Sequence, residues 1–302
     1  MDEFGLIKQY FDWGQGIGDD CALLSIDSDK QLATTVDTLI AGVHFPTNTS
    51  AEDIAYKALA VNLSDLAAMG ASPLYFTLAL TLPSIDQHWL EGFSDSLKTL
   101  AKAYNIALVG GDTTKGALSI TINATGVMKK NQALLRSGAQ AGDSIFISNT
   151  LGDAALAWQQ IQNQQIPSSA SVKQLNRPEP QIKLGQSLLT VAHSCIDVSD
   201  GLEQDLSHIL AQSNLGASID VEALPLSNEV AQYIAQTKDW CIALAGGDDY
   251  ELCFTVPESK INHIQSIKKD LDIKLTKIGT ITKKTGLKIQ GLQKDCQSYQ
   301  HF

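Results

Sequence analysis

Acidic residues recur beside glycines and hydroxyls along this chain: GIGDD at Gly16 to Asp20, TTVDT at Thr34 to Thr38, NLSDL at Asn62 to Leu66, GGDTT at Gly110 to Thr114, IDVSDG at Ile196 to Gly201 and GGDDYE at Gly246 to Glu251. A single Asp after Gly is ordinary turn chemistry, because its side chain bonds the local backbone. Six such segments point instead to carboxylates gathered to hold hard cations. Phosphoryl transfer needs such cations, since it asks a protein for little beyond charge neutralisation and alignment of donor with acceptor.

Asp65 is the most informative of these residues. On a 3.6-residue helix it shares a stripe with Ile54, Ala58, Val61 and Ala68, the face expected to be buried. A buried carboxylate must be paired, protonated or metal-bound, and no Lys or Arg lies within four residues of it to serve as a helical partner. A core Asp satisfied by hydrogen bonds is the alternative. Asp37 sits at the end of a strand-like run where alternation places Thr35 on the same face, so a hydroxyl and a carboxylate can share one cation; a strand-end turn is the other reading. Asp197 and Ser199 likewise share a face, whereas Asp200, three before Glu203, is equally suited to capping the following helix. Gly110 and Gly111 allow close backbone approach to a phosphate beside Asp112. Arg136 suits a forked contact to a nucleotide phosphate, with a surface arginine as the alternative, and Lys115 is open in the same way.

The rest of the sequence narrows the chemistry. No GxxxxGK[ST] and no HRD with a following DFG is present, and GQGIGDD lacks GxGxxG spacing. A formal charge of -11 argues against nucleic acid, where binding is driven by Lys and Arg. So acidic a protein must hold phosphates through divalent cations. Acidic Asp2 and Glu3 stand where a secretory signal would be basic, and no run approaches the length of a membrane helix, so a cytoplasmic protein without membrane contact is expected. Five scattered cysteines without CxxC spacing indicate reduced, mostly buried thiols rather than a disulfide framework or zinc site.

Positioning these side chains falls to a mixed α/β or α+β chain. With 302 residues, 44% of them apolar, it is long enough for two domains, with a boundary near residue 140 in the polar Lys129 to Asp143 stretch. Strands are expected over 21–26, 31–36, 74–82, 144–148, 195–198, 250–256 and 274–281, and helices over 51–69, 87–104, 153–162, 181–192 and 202–212. Ser50 and Asp53 are spaced as a capping box. Gln159 to Ser171 reads as a helix end running into a loop.

Taken in order, GIGDDCALL, VDTLIAGVHF, YKALAVNLSDLAAMGASP, LVGGDTT, LLRSGAQAGD, IDVSDGL and GGDDYELCFTVP resemble the successive blocks of the thiamine-monophosphate kinase family, from about residue 16 to 257. The resemblance implies a two-domain fold like aminoimidazole ribonucleotide synthetase. Residues 1–140 would form an ATP- and magnesium-binding domain that pairs strands across a homodimer, and 141–302 an α+β domain. It also implies direct in-line transfer from ATP to thiamine monophosphate, with several Mg2+ ions and no general base. Carried onto this sequence, the magnesium ligands are Asp20, Thr35, Val36, Asp37, Asp65, Asp112, Asp197 and Asp200. The ATP contacts are Gly111, Asp112, Arg136 and Ser199, and the substrate contacts His44, Asp248 and Tyr299. His44 is then an orienting contact, Tyr299 faces the thiazolium and Asp248 answers its charge. Three positions depart from the family pattern: Val36 can offer only its carbonyl, Asp248 stands where Glu is common, and the tail around Tyr299 matches loosely. The rival readings are an ATP-dependent ligase or cyclase of the same superfamily and a nucleotide- or cation-binding module without turnover.

Overall fold

The structure, a computed structural model, describes residues 22–25, 29–292, 294 and 296. Its first sheet holds β1 (Ala22–Ser25), β2 (Lys30–Ile40), β3 (Ser72–Leu82), β4 (Ala107–Lys115) and β5 (Ser119–Lys129), in the order β1-β2-β5-β3-β4. All neighbours are antiparallel except β3 and β4. That parallel pair requires a crossover, supplied by the helix Gln87–Ala103. The second sheet holds β6 (Ser144–Ser148), β7 (Ser194–Val198), β8 (Gly216–Asp220), β9 (Glu251–Val256), β10 (Leu275–Thr282) and β11 (Gly286–Gln290), in the order β11-β8-β10-β6-β9-β7. Among the described residues the helices, in chain order, are α1 (Ala51–Ala68), α2 (Gln87–Ala103), α3 (Asp153–Gln162), α4 (Ser169–Asn176), α5 (Ile182–Leu188), α6 (Leu202–Ser213), α7 (Asn228–Thr237), α8 (Cys241–Leu244) and α9 (Ile261–Asp270). No helix among the described residues is long and apolar enough to cross a membrane.

The centre of the molecule is α1. Ser50 caps it by accepting the Asp53 amide at 3.2 Å, and Gly70 follows its end with φ +70°. Every residue of α1 except Glu52, Asp53, Tyr56 and Asp65 is buried, because the helix packs against β2, β5, α2, α5 and, in the second sheet, β7. It is a central helix and not the one-faced amphipathic helix that the stripe through Asp65 suggested. Asp65 is half-exposed because a cleft opens over it.

Close helix contact sets the fit of α5 on α1. A Cβ at Gly185 would lie 1.9 Å from the Ala67 carbonyl oxygen, so backbone would have to move. Gly185→Ala is expected to lower stability by about 2 kcal/mol and the melting temperature by roughly 5 °C in a thermal melt.

Several elements differ from their expected form. Strand β2 runs on to Ile40, so Asp37 lies within it, in register with Ile122, and is not a strand-end turn. The 181–192 helix shortens to Ile182–Leu188, and 159–171 is no simple loop: Ser168 caps α4 and, with Ser171, binds Glu229 across to α7. Cys241 and Cys296 are joined in a disulfide, Cα atoms 5.3 Å apart, a pairing their separation of 55 residues conceals. Cys195 and Cys253 are buried and in no disulfide, and Cys21 lies outside the described residues.

Candidate active site

Between the two sheets lies a cleft of about 900 Å3. From the first sheet and α1 it takes Val36, Asp37, His44 and Asp65; from the second, Asp197, Ser199, Asp200, Asp248 and Tyr250. Among the described residues no Lys or Arg lines it. Five carboxylates separated by up to 211 residues in sequence therefore face one space.

Asp65, Asp197, Asp200 and Asp248 are each placed by an identifiable bond. The Thr35 hydroxyl, buried on β2, donates to Asp65 Oδ2, tying the strand to α1. One residue earlier on the helix, Ser64 Oγ donates to Asp197 Oδ2 at 2.6 Å, tying α1 to β7. Asp197 is 3% exposed, so that bond offsets part of the cost of burying its charge. Asp200 does not cap α6. Its Oδ2 accepts Gln204 Nε2 at 2.9 Å, while Asp205, from inside the helix, accepts the amides of Ser199, Asp200 and Gly201 at 3.0 to 3.1 Å on one oxygen. One buried carboxylate thus shapes the loop that presents Ser199 and Asp200. Burial, then the nearby Asp200 and Asp197 charges, pushes the Asp205 carboxyl well above the ordinary range, against its hydrogen bonds and Arg136. Arg136, half-buried, stands behind this loop where its charge is felt by Asp205.

On the opposite side, His44 Nδ1 accepts the Ile40 amide at 3.0 Å, so the proton of the neutral imidazole belongs on Nε2, which makes the ring a donor and not a base. Asp248 accepts Lys57 Nζ at 2.8 Å on one oxygen and the Tyr250 hydroxyl at 3.0 Å on the other. Burial, then the charges of Asp248 and Asp37, holds the Tyr250 phenol well above its ordinary value, which keeps it a neutral donor.

Beneath the cleft Glu251 is buried on β9, accepting Ser148 Oγ and, at 3.0 Å, Asn149 Nδ2. Burial raises its carboxyl well above the ordinary value despite those bonds. A raised folded value means that stability falls as pH rises from about 4.3, the unfolded value, through the folded one. Glu251→Gln carries no such loss, so the melting temperature of the variant minus that of the wild type is expected to increase from pH 4 to 8. A constant difference would mean that Glu251 titrates normally.

The chain matches the family model described as AIR synthase related protein, N-terminal domain, over residues 18–128, and that described as AIR synthase related protein, C-terminal domain, over 140–291. It is 47% identical to thiamine-monophosphate kinase of Haemophilus influenzae over 95% of this chain and 91% of that protein. This chain belongs to the thiamine-monophosphate kinase family. Among solved structures, the Stenotrophomonas maltophilia K279a thiamine-monophosphate kinase superposes with TM-score 0.85 at 45% identity, covering 92% of this chain and 91% of that one. A structure described as AaThiL complexed with AMPPCP and TMP gives 0.89 at 30% identity, covering 100% and 97%.

The family positions do not all meet in this one chain. Gly111 and Asp112 lie on exposed β4, where Asp112 shares a register line with Ala79, Thr121 and Thr38. Three strand spacings, roughly 14 Å, separate it from β2. The glycine pair there has a local reason: β4 carries one extra residue at Val109, and a Cβ at Gly111 would fall 1.9 Å from the Leu78 carbonyl oxygen. Asp20 and Tyr299 lie outside the described residues. Sequence reasoning passed over Ser64, Lys57, Asp205 and Tyr250. Ser64 and Tyr250 stood inside quoted motifs, whereas the partners of Lys57 lie 191 residues away at Asp248 and in the His44 loop.

Proposed function

We propose that the protein transfers the γ-phosphoryl group of ATP to the phosphate of thiamine monophosphate, releasing ADP and thiamine diphosphate. The observation that carries this reading is the set of carboxylates facing one cleft that, among the described residues, has no lining Lys or Arg, in a chain 47% identical to a thiamine-monophosphate kinase. The complex of AaThiL with AMPPCP and TMP supports the same pair of ligands.

The donors fit Mg2+: Asp37, Asp65, Asp197 and Asp200 offer hard oxygens, with the Thr35 hydroxyl and Val36 carbonyl beside them. Among the described residues no three acidic, His or Cys side chains converge to hold an ion unaided. Mg2+ suits such a spread arrangement, since it keeps waters and shares phosphate oxygens. When bound it would neutralise the phosphates as charge moves between donor and acceptor. Ser199 and Arg136, with the Asp205-held loop, face the nucleotide in this reading, and His44 Nε2–H orients the acceptor phosphate. That phosphate is already ionised at neutral pH, so no side chain has to remove a proton. The transfer is direct and in line, without a phosphoenzyme. We place the protein in the cytoplasm and read it as a homodimer; exposed Val36, Ile40, Leu108 and Val109 on the first sheet support the latter. Gly111, Asp112, Asp20 and Tyr299 keep their family roles as part of this proposal, with residues 1–140 and 141–302 as its two domains.

The test is product formation by the purified protein with ATP and Mg2+, with and without thiamine monophosphate, and with a chelator. ADP and thiamine diphosphate in equal amounts, only when substrate and metal are both present, is the expected result. ADP without thiamine diphosphate would favour a ligase or cyclase, and ATP binding without turnover a binding module.

A further inference from the structure

Lys57 stands out in α1 because it is the one basic residue of a buried helix, 1% exposed among alanines and leucines. An ammonium taken from water is costly unless its donors are matched, and packing alone would be better served by an apolar side chain. Its Nζ donates to the His44 carbonyl at 3.0 Å and to Asp248 Oδ2 at 2.8 Å. These acceptors belong to two loops that share no secondary structure. The first is the turn after β2, closed by the bridge between Ala41 and Phe45. The second is the segment from Gly246 to Tyr250, in which Gly247, Asp248 and Tyr250 all have positive φ.

The rest of each loop is anchored in a way that leaves the Lys57 bond a distinct task. Asp248 and Tyr250 donate their amides to the carbonyls of Ser199 and Val198, both at 2.8 Å, which fixes the second loop on β7. The His44 ring is fixed on the Ile40 amide. What Lys57 adds is the separation between the loops, across the two sheets. It also matches the Asp248 charge from behind, while the Tyr250 hydroxyl takes the other oxygen.

We propose that Lys57 is a positioning residue for the acceptor substrate: one buried ammonium holds the His44 loop and Asp248 at a fixed spacing, and so sets the capture of thiamine monophosphate without touching the nucleotide side. This rests on the function proposed above. The carboxylates Asp65 and Asp197 are held by their own bonds to Thr35 and Ser64, which is why loss of Lys57 should act on one side of the cleft.

Steady-state kinetics with each substrate varied separately tests this. Lys57→Met is expected to raise KM for thiamine monophosphate about twentyfold, while KM for ATP and kcat change less than about threefold. In an Asp248→Asn background the same substitution should add less than about threefold, because the two residues act as one unit. Equal rises in both KM values would show a general loosening of the fold, and a thiamine monophosphate KM within about twofold of wild type would show that the spacing is held without Lys57; either overturns the proposal. Should Lys57→Met not fold, the double variant, which leaves neither charge unpaired, is measured instead, and a wild-type thiamine monophosphate KM in it has the same force. Wild-type turnover is run alongside: an inactive wild type removes the kinase reading itself, whereas an active wild type with unaffected variants removes only the role of Lys57.

Discussion

Replacing Asp65 by Asn is expected to lower kcat for thiamine diphosphate formation about a thousandfold or more, with little change in melting temperature. Asn keeps an oxygen for the Thr35 hydroxyl and has nearly the same shape, so the tie between β2 and α1 survives. Asp65 is half-exposed to the cleft, so the variant leaves no buried charge unmatched. What is lost is one negative charge on the wall where cations must sit between protein and phosphates. The effect should therefore appear in turnover and in the Mg2+ concentration required, and not in folding. Near-normal turnover in Asp65→Asn would take this residue out of the site. A large fall in melting temperature would instead assign it to the core.

The second large effect is expected at Asp205, a residue that touches neither substrate in our reading. Three backbone amides, those of Ser199, Asp200 and Gly201, end on its Oδ2. Asp205→Ala leaves them facing a buried space, and at about 1 to 3 kcal/mol for each unsatisfied group the loss of stability should be at least about 3 kcal/mol. The loop would then relax to find other partners. Gly201, at φ +113° and with a hypothetical Cβ 2.7 Å from Ala245 Cα, has almost no room to move as a unit, so the displacement must fall on Ser199 and Asp200. A loss of about a hundredfold in kcat/KM should accompany the destabilisation. Asp205→Asn, whose amide oxygen can take the same three bonds, should keep activity within about threefold of wild type. If Ala and Asn lose activity equally, the charge of Asp205 and not its geometry is what counts. Thermal melts and kinetics on the same preparations decide between the two.

The comparison of Asp200 with Asp205 shows where reading a sequence stops. Spacing to Glu203 made Asp200 a good cap candidate, and only the path of the chain revealed that Asp205 reaches back one turn to take the amides. Asp65 teaches the converse lesson. The stripe through Ile54, Ala58 and Val61 singled it out as a carboxylate on a buried face, yet α1 is buried on nearly all sides and Asp65 is among its few half-exposed residues. Its place on the cleft wall is something the periodicity did not contain. Likewise the double glycine of GGDTT, read from the sequence as a phosphate approach, has a second reason that only the fold supplies, the close passage of β3 at Gly111.

By itself the sequence determined the chemical character of the protein. Glycine- and hydroxyl-flanked carboxylates, the acidic charge, the missing nucleotide loops and the ordered family blocks all follow from residue identity and local spacing. The tertiary structure decided convergence. It brought Asp37, Asp65, Asp197, Asp200 and Asp248 to one cleft, placed Lys57 between two loops, paired Cys241 with Cys296 and left Asp112 on a distant strand. The physical reason is range. Helix periodicity, capping and turn chemistry act over a few residues and leave a trace in the local pattern. A buried charge finds its partner through the packing of whole sheets and helices, at separations that no local pattern encodes.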